Sequence, residues 1–161
     1  MQIERTTDAE FVRRVLTDPA VWPLVSDDYS GSPEEYDPTA AVTNPLSYYL
    51  VPLRNGERIG FFSFHPANGI TYEMHSAIIP AHQGHSIWSC RSAIFWMFEH
   101  TRARKIITQV PVRYNRLCRI TMAAGFAIEG CNRNSLSRGN RILDQWWMGI
   151  GIGKVNRPWV K

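Results

Sequence analysis

Polar and apolar positions alternate along "QIERTT" at residues 2 to 7, the two-residue period of a strand. The period lengthens at once: Phe11, Val12, Val15 and Leu16 fall on one face of a helix that Asp8 is placed to cap and that should stop before Pro19. From Pro19 to Pro45 prolines and acidic residues break every period, which predicts short helical turns and loops and a variable, substrate-facing segment. "SYYLVPLRNGERIGFFSFHPANGITYEMHSAII" then holds three strand-like runs separated by the hairpin signals "RNGE" and "HPANG". In the third run Ile70, Tyr72, Met74, Ser76 and Ile78 share one face, and Thr71, Glu73, His75, Ala77 and Ile79 share the other.

After the polar loop "PAHQGHS" a helix is predicted from Ile87 to His100, with Ser86 as N-cap and an apolar face of Ile87, the Arg91 stem, Ile94, Phe95 and Phe98. Arg102, Arg104 and Lys105 follow its C-terminal end, where the helix dipole favours cations. "KIITQVPV" reads as a buried strand, and "YNRLCRITMAAGF" as a helix opened by Asn115 and ended by Gly125. "AIEG" and "NRILDQWWMGIGI" look like two closing strands flanking a loop, "CNRNSLSRG". This order predicts a mixed α/β protein in which a parallel strand pair flanks the Ile87 to His100 helix.

Composition sharpens the picture only in places. The 161 residues suit about one domain, and 44% hydrophobic with 20% charged residues is ordinary globular usage. No run is long and apolar enough for a membrane span, and the N-terminus lacks a signal-peptide core. Cys90, Cys118 and Cys131 form no paired spacing, which fits a reducing, cytoplasmic setting. A net charge of +4 favours an acidic partner, but the basic residues are scattered and no nucleic-acid motif appears, so nucleic acid is not the expected ligand. His75, His82 and His85 have no cysteine or carboxylate at ligand spacing, and no metal site is expected. Trp88, Trp96, Trp146 and Trp147 cannot all face inward, which suits either edge packing or a protein interface that includes the basic tail, 154–161.

The strand, the "PAHQGHSIW" loop and the long helix together resemble the acyl-CoA signature of the GNAT superfamily of acetyl-CoA-dependent N-acetyltransferases. "NRLCRITMAAGF" and "GNRILDQWWMGI" are similar to two later segments of that family, and the resemblance spans nearly the whole chain. It implies one GNAT-like domain over 1–153, with a mixed central sheet of about six to seven strands and helices on both faces. It also implies acetyl transfer to a primary amine by direct attack on the thioester, the amine belonging to a protein or a small molecule, with a homodimer left open. By this resemblance Ala77, Ile78 and Ile79 would run beside the pantetheine, Gln83, Gly84, His85, Ser86 and Ile87 would hold the pyrophosphate, and Asn115 would cap its helix and touch the cofactor. Glu73 or His75 would take the amine's proton, directly or through water. Two departures stand out: Ser86 and Trp88 occupy the family's glycine positions, and Thr121 and Met122 lie where a tyrosine often serves as acid. A closed site would make the chain a non-catalytic protein-binding module, and it is also similar to small GNAT-like proteins of short-tailed phages, some associated with head assembly. The direction of the Trp88 indole separates the two readings.

Overall fold

In the computed structural model, residues 2–154 are described. The predicted tail lies outside the described residues except for Lys154. The chain opens with β1 (Gln2–Thr6) and α1 (Ala9–Leu16), and the Phe11 N–H donates to the Asp8 carboxylate at 2.9 Å in the predicted cap. Two single-turn helices follow in the proline-rich stretch, α2 (Trp22–Val25) and α3 (Thr39–Val42). The strands β2 (Tyr48–Arg54), β3 (Glu57–Arg58), β4 (Gly60–Pro66) and β5 (Thr71–Ile78) form the predicted meander, with β3 a two-residue addition paired to β2. Next come a 3₁₀ turn (Pro80–His85), α4 (Ser86–His100), β6 (Lys105–Pro111) and α5 (Asn115–Ala123). The hairpin of β7 (Ala127–Ser137) and β8 (Ile142–Gly151) closes the sheet.

The sheet runs β1-β2-β4-β5-β6-β8-β7. Every neighbouring pair is antiparallel except β5–β6, whose crossover is α4. Alternation along β4 sends Phe62 and Phe64 to the face covered by α4 and α5, where they meet Met74, Ile94, Met97, Ile106 and Met148. Phe61 goes to the other face, against Phe11, Val12 and Val15 of α1 and Val51 of β2. The predicted α/β architecture, a mixed sheet with helices on both faces, is therefore present.

Four local expectations are corrected. The buried stripe of α4 is Ser89, Cys90, Ala93, Ile94, Met97 and Phe98, while Ile87, Arg91 and Phe95 are only half-buried. Small side chains let this face approach the sheet closely, and Ser89 enters the core because its hydroxyl donates to the His85 carbonyl. Ser86 is the first residue of α4 rather than its cap: the 3₁₀ turn runs directly into the helix, and the Ser86 hydroxyl donates to the Gln83 carbonyl at 2.7 Å. Asn115 begins α5 but caps nothing, since Tyr114 holds the N-cap position and no side chain bonds there. Most of "CNRNSLSRG" belongs to β7, because β8 offers it a continuous partner across a bulge between Asn132 and Leu136.

Candidate active site

The sheet opens at its parallel pair. β5 and β6 are in register only at Thr71–Lys105, Tyr72–Ile106 and Glu73–Ile107, whereas β4–β5 and β6–β8 stay paired along their lengths. Beyond Glu73 the two strands diverge, and a cavity lies on each face of the gap. One, of about 440 Å³, opens toward α1 and α2 and is lined by Tyr49, Phe61, His65, Glu73, His75 and Gln109 among others. Its counterpart toward α4 and α5 measures about 560 Å³, with Ile78, Gln83, Ser86, Arg113, Tyr114 and Asn115 in its wall. Leu24 and Val25 of α2 line both, as do Met74, Ser76, Leu117 and Thr121, so the cavities adjoin.

Glu73 is the last β5 residue held by the parallel ladder, and its carboxylate accepts from the Gln109 side chain at 3.3 Å. Gln109 in turn accepts from Asn132 at 3.0 Å, so a side-chain chain from β7 through β6 orients the carboxylate at the mouth of the gap. His65 is the cross-strand partner of Glu73 on β4. Its Nδ1 is hydrogen-bonded to the buried Ser47 hydroxyl at 3.0 Å, and its ring lies 5.9 Å from that of His75. Burial, with His75 adding to it, holds His65 below the usual histidine range, and Glu73 offsets this only in part. His75 is more exposed and stands 3.9 Å from Glu73. Tyr49, in the same wall, has its phenol pushed up to about 12, first by burial and then by Tyr36, so it stays a neutral donor.

No protein-family model and no curated protein sequence matches the chain. Solved structures do match in three dimensions. A chimera of the spermidine N-acetyltransferase SpeG of Vibrio cholerae and hSSAT superposes with a TM-score of 0.80 at 19% identity, covering 96% of both chains. The Vibrio cholerae spermidine N-acetyltransferase in complex with CoA and spermine gives 0.73 at 18% identity over 96% of both chains. A GNAT-family acetyltransferase of Bacillus anthracis gives 0.69 at 18% identity, over 94% of this chain and 95% of that one. The architecture is the GNAT fold. At these identities the likeness is one of fold, and the chemistry must come from the residues of this chain.

Within the GNAT fold, the residues singled out in the sequence are only partly brought together. Ala77, Ile78, Gln83, Ser86 and Asn115 line the cavity beside α4 and α5. Ile79, Gly84, His85 and Ile87 do not: Ile79 packs on the α1 side, and its N–H donates to the Ile59 carbonyl. Both the N–H and the hydroxyl of Ser86 are engaged by the Gln83 carbonyl, so this loop presents fewer open backbone donors than a glycine-rich turn would. Two guanidinium groups, Arg113 and Arg116, line the same cavity and supply positive charge there. Trp88 lines neither cavity. It is 51% exposed, with the Arg91 guanidinium 5.6 Å from its ring, so the indole turns away from the gap and does not close it.

A tyrosine is present after all, at Tyr114, one residue before α5 instead of within it. Its hydroxyl accepts from Arg138 Nη1 at 3.2 Å, which leaves the phenolic proton available to another acceptor. His65, Tyr114 and Arg138 are not among the candidate site residues read from the sequence. His65 had a usable signal, because the "HPANG" turn sets it opposite Glu73. The other two are joined by contacts across 24 residues, beyond the reach of any local pattern.

Proposed function

We propose that the protein is an acetyl-CoA-dependent N-acetyltransferase acting on the primary amine of a small molecule. The observation that carries this reading is the split between β5 and β6 with a cavity on either face and Glu73 at its mouth. Such a gap lets a donor on one face and an acceptor on the other meet without either crossing the sheet, which supports direct transfer. The α4 and α5 side fits an extended, phosphorylated donor: Ala77 and Ile78 offer a strand edge, while Gln83, Ser86, Arg113 and Arg116 supply polar and cationic groups. Acetyl-CoA would bring the acetyl group as a thioester, and the new C–N bond would form as the C–S bond breaks.

The remaining steps fall to this chain. Glu73, oriented by Gln109, takes the proton of the acceptor ammonium, and neutral His65 stands beside it on the same face. Tyr114 brings a phenolic hydroxyl to the donor side and supplies a proton to the departing sulfur. The spermidine N-acetyltransferases with this fold make a small amine the natural acceptor class. A non-catalytic assembly role, including one in a phage particle, loses its motive once Trp88 is seen to leave the gap open.

The test is calorimetric titration with acetyl-CoA followed by amine-dependent CoA release. Binding is expected, and Glu73→Gln should lower kcat by about 100-fold with the melting temperature retained. No detectable binding at millimolar acetyl-CoA overturns the reading.

A further inference from the structure

The cavity on the α1 side contains one cation that acetyl transfer does not require. Arg138 stands in the turn between β7 and β8 and lines that cavity. Its turn is tied down by Asp28, whose carboxylate accepts from the Ser137 hydroxyl at 2.7 Å and from the N–H groups of Gly139 and Asn140 at 2.6 and 3.2 Å. The guanidinium is fixed as well, since Nη1 donates to the Leu24 carbonyl at 3.1 Å and to Tyr114 at 3.2 Å. The other edge is unused. Nε is enclosed by protein, whereas Nη2 makes no hydrogen bond and no carboxylate lies within ion-pair distance of the guanidinium among the described residues.

With Nε enclosed, Nη2 is the donor left for a ligand, and a charge-assisted hydrogen bond from a guanidinium suits a carboxylate. We propose that Arg138 reads the carboxylate of the acceptor, so that the substrate is a small amino acid-type zwitterion with its amine at Glu73 and its carboxylate on Nη2 of Arg138. This rests on the transferase reading above and narrows its substrate class. Charge argues the same way. The cavity wall holds two carboxylates, Glu73 and Asp27, and Asp27 accepts through Oδ1 from the Ser30 hydroxyl at 2.7 Å and the Tyr29 N–H at 3.0 Å. A polyamine would bring additional ammonium groups against the Arg138 guanidinium, a like-charge contact that a zwitterion replaces with an ion pair. The aromatic wall of Trp22, Tyr36 and Phe61 suits an apolar side chain between the two polar ends.

The experiment measures kcat/KM with acetyl-CoA for L-leucine against L-leucinamide, L-phenylalanine against L-phenylalaninamide, and spermidine, in the wild type and in Arg138→Gln and Arg138→Lys. Each acid should exceed its amide by at least about ten-fold, as expected for a charge-assisted hydrogen bond. That ratio should fall below about three-fold in Arg138→Gln and recover only partly in Arg138→Lys, which keeps the charge but not the guanidinium. Because Arg138 also donates to Tyr114, a role confined to holding that hydroxyl would lower kcat on every amine alike and leave the acid-to-amide ratio unmoved. Titration of N-acetyl-leucine against its amide gives the same comparison without turnover. Equal rates for acid and amide, a preference for spermidine, or acetyl-CoA binding with none of the acids acetylated each overturns the assignment while the transferase reading stands on its own binding test. Failure to bind acetyl-CoA removes both.

Discussion

Burial keeps the His65 imidazole and the Cys90 thiol neutral for one reason, that the charged form of each would be short of water, and it does so by moving their pKa values in opposite directions. Cys90 is pushed up to about 12 with Arg91 only slightly opposing, which makes it an inert core residue beside Met74. His65 goes down, and the consequence for stability has a definite sign. The unfolded chain, with a histidine near 6.5, takes up the proton before the folded one does as pH falls. The stability supplied by neutral His65 is therefore complete above about pH 6.5 and is lost as pH drops through the lowered folded value. Melting temperatures between about pH 8 and pH 5 should fall more steeply for the wild type than for His65→Gln. Parallel curves would mean that His65 titrates like a solvated histidine and is not held neutral beside Glu73.

At the scale of elements, the end of β5 is shaped by a single close approach. Gly60 has φ +141°, and a Cβ there would lie 2.3 Å from the Ala77 carbonyl oxygen and 2.7 Å from the Ile78 Cα, both backbone atoms that cannot swing aside. Gly60→Ala should cost about 2 kcal/mol or more, and the loss should be accompanied by faster amide exchange along the Ala77 to Ile79 segment beside the cavity. A stability change below about 0.5 kcal/mol would show that β4 can shift without disturbing β5. Such constraints mark the boundary of what the sequence discloses. Strands and helices were legible because the meander alternates cleanly, Asp8 caps α1 with an acceptor, and Gly125 ends α5 with φ +113°. Tertiary choices were hidden. The face of α4 was set by small residues that periodicity weights lightly, and polar "CNRNSLS" became a strand because β8 supplied its hydrogen bonds. The strand position of Glu73 was legible and the family resemblance marked it as a candidate, while Tyr114 and Arg138 come to the cavities from a loop and a hairpin turn that only the fold brings together.

For the whole molecule, the decisive feature is that the sheet is both a barrier and a passage. Antiparallel pairing flanks the gap on either side, and beyond the short parallel register of β5 and β6 the cavities adjoin at Met74, Ser76, Leu117 and Thr121, with Leu24 and Val25 of α2 also lining both. On the proposed function, transfer between molecules on opposite faces depends on an opening a few side chains wide. Ser76 is the place to test this, because it borders both cavities, is exposed, and contributes nothing to either core. An indole at this position would fill the opening without displacing packed side chains. Ser76→Trp should therefore lower amine-dependent CoA release by at least about 100-fold, since reacting groups held even about 1 Å out of place lose that much. Its melting temperature should stay within about 3 °C of the wild type, as for other exposed substitutions. Retained activity in a stably folded Ser76→Trp protein would mean that donor and acceptor do not meet through the β5–β6 gap, and the two cavities would have to act independently.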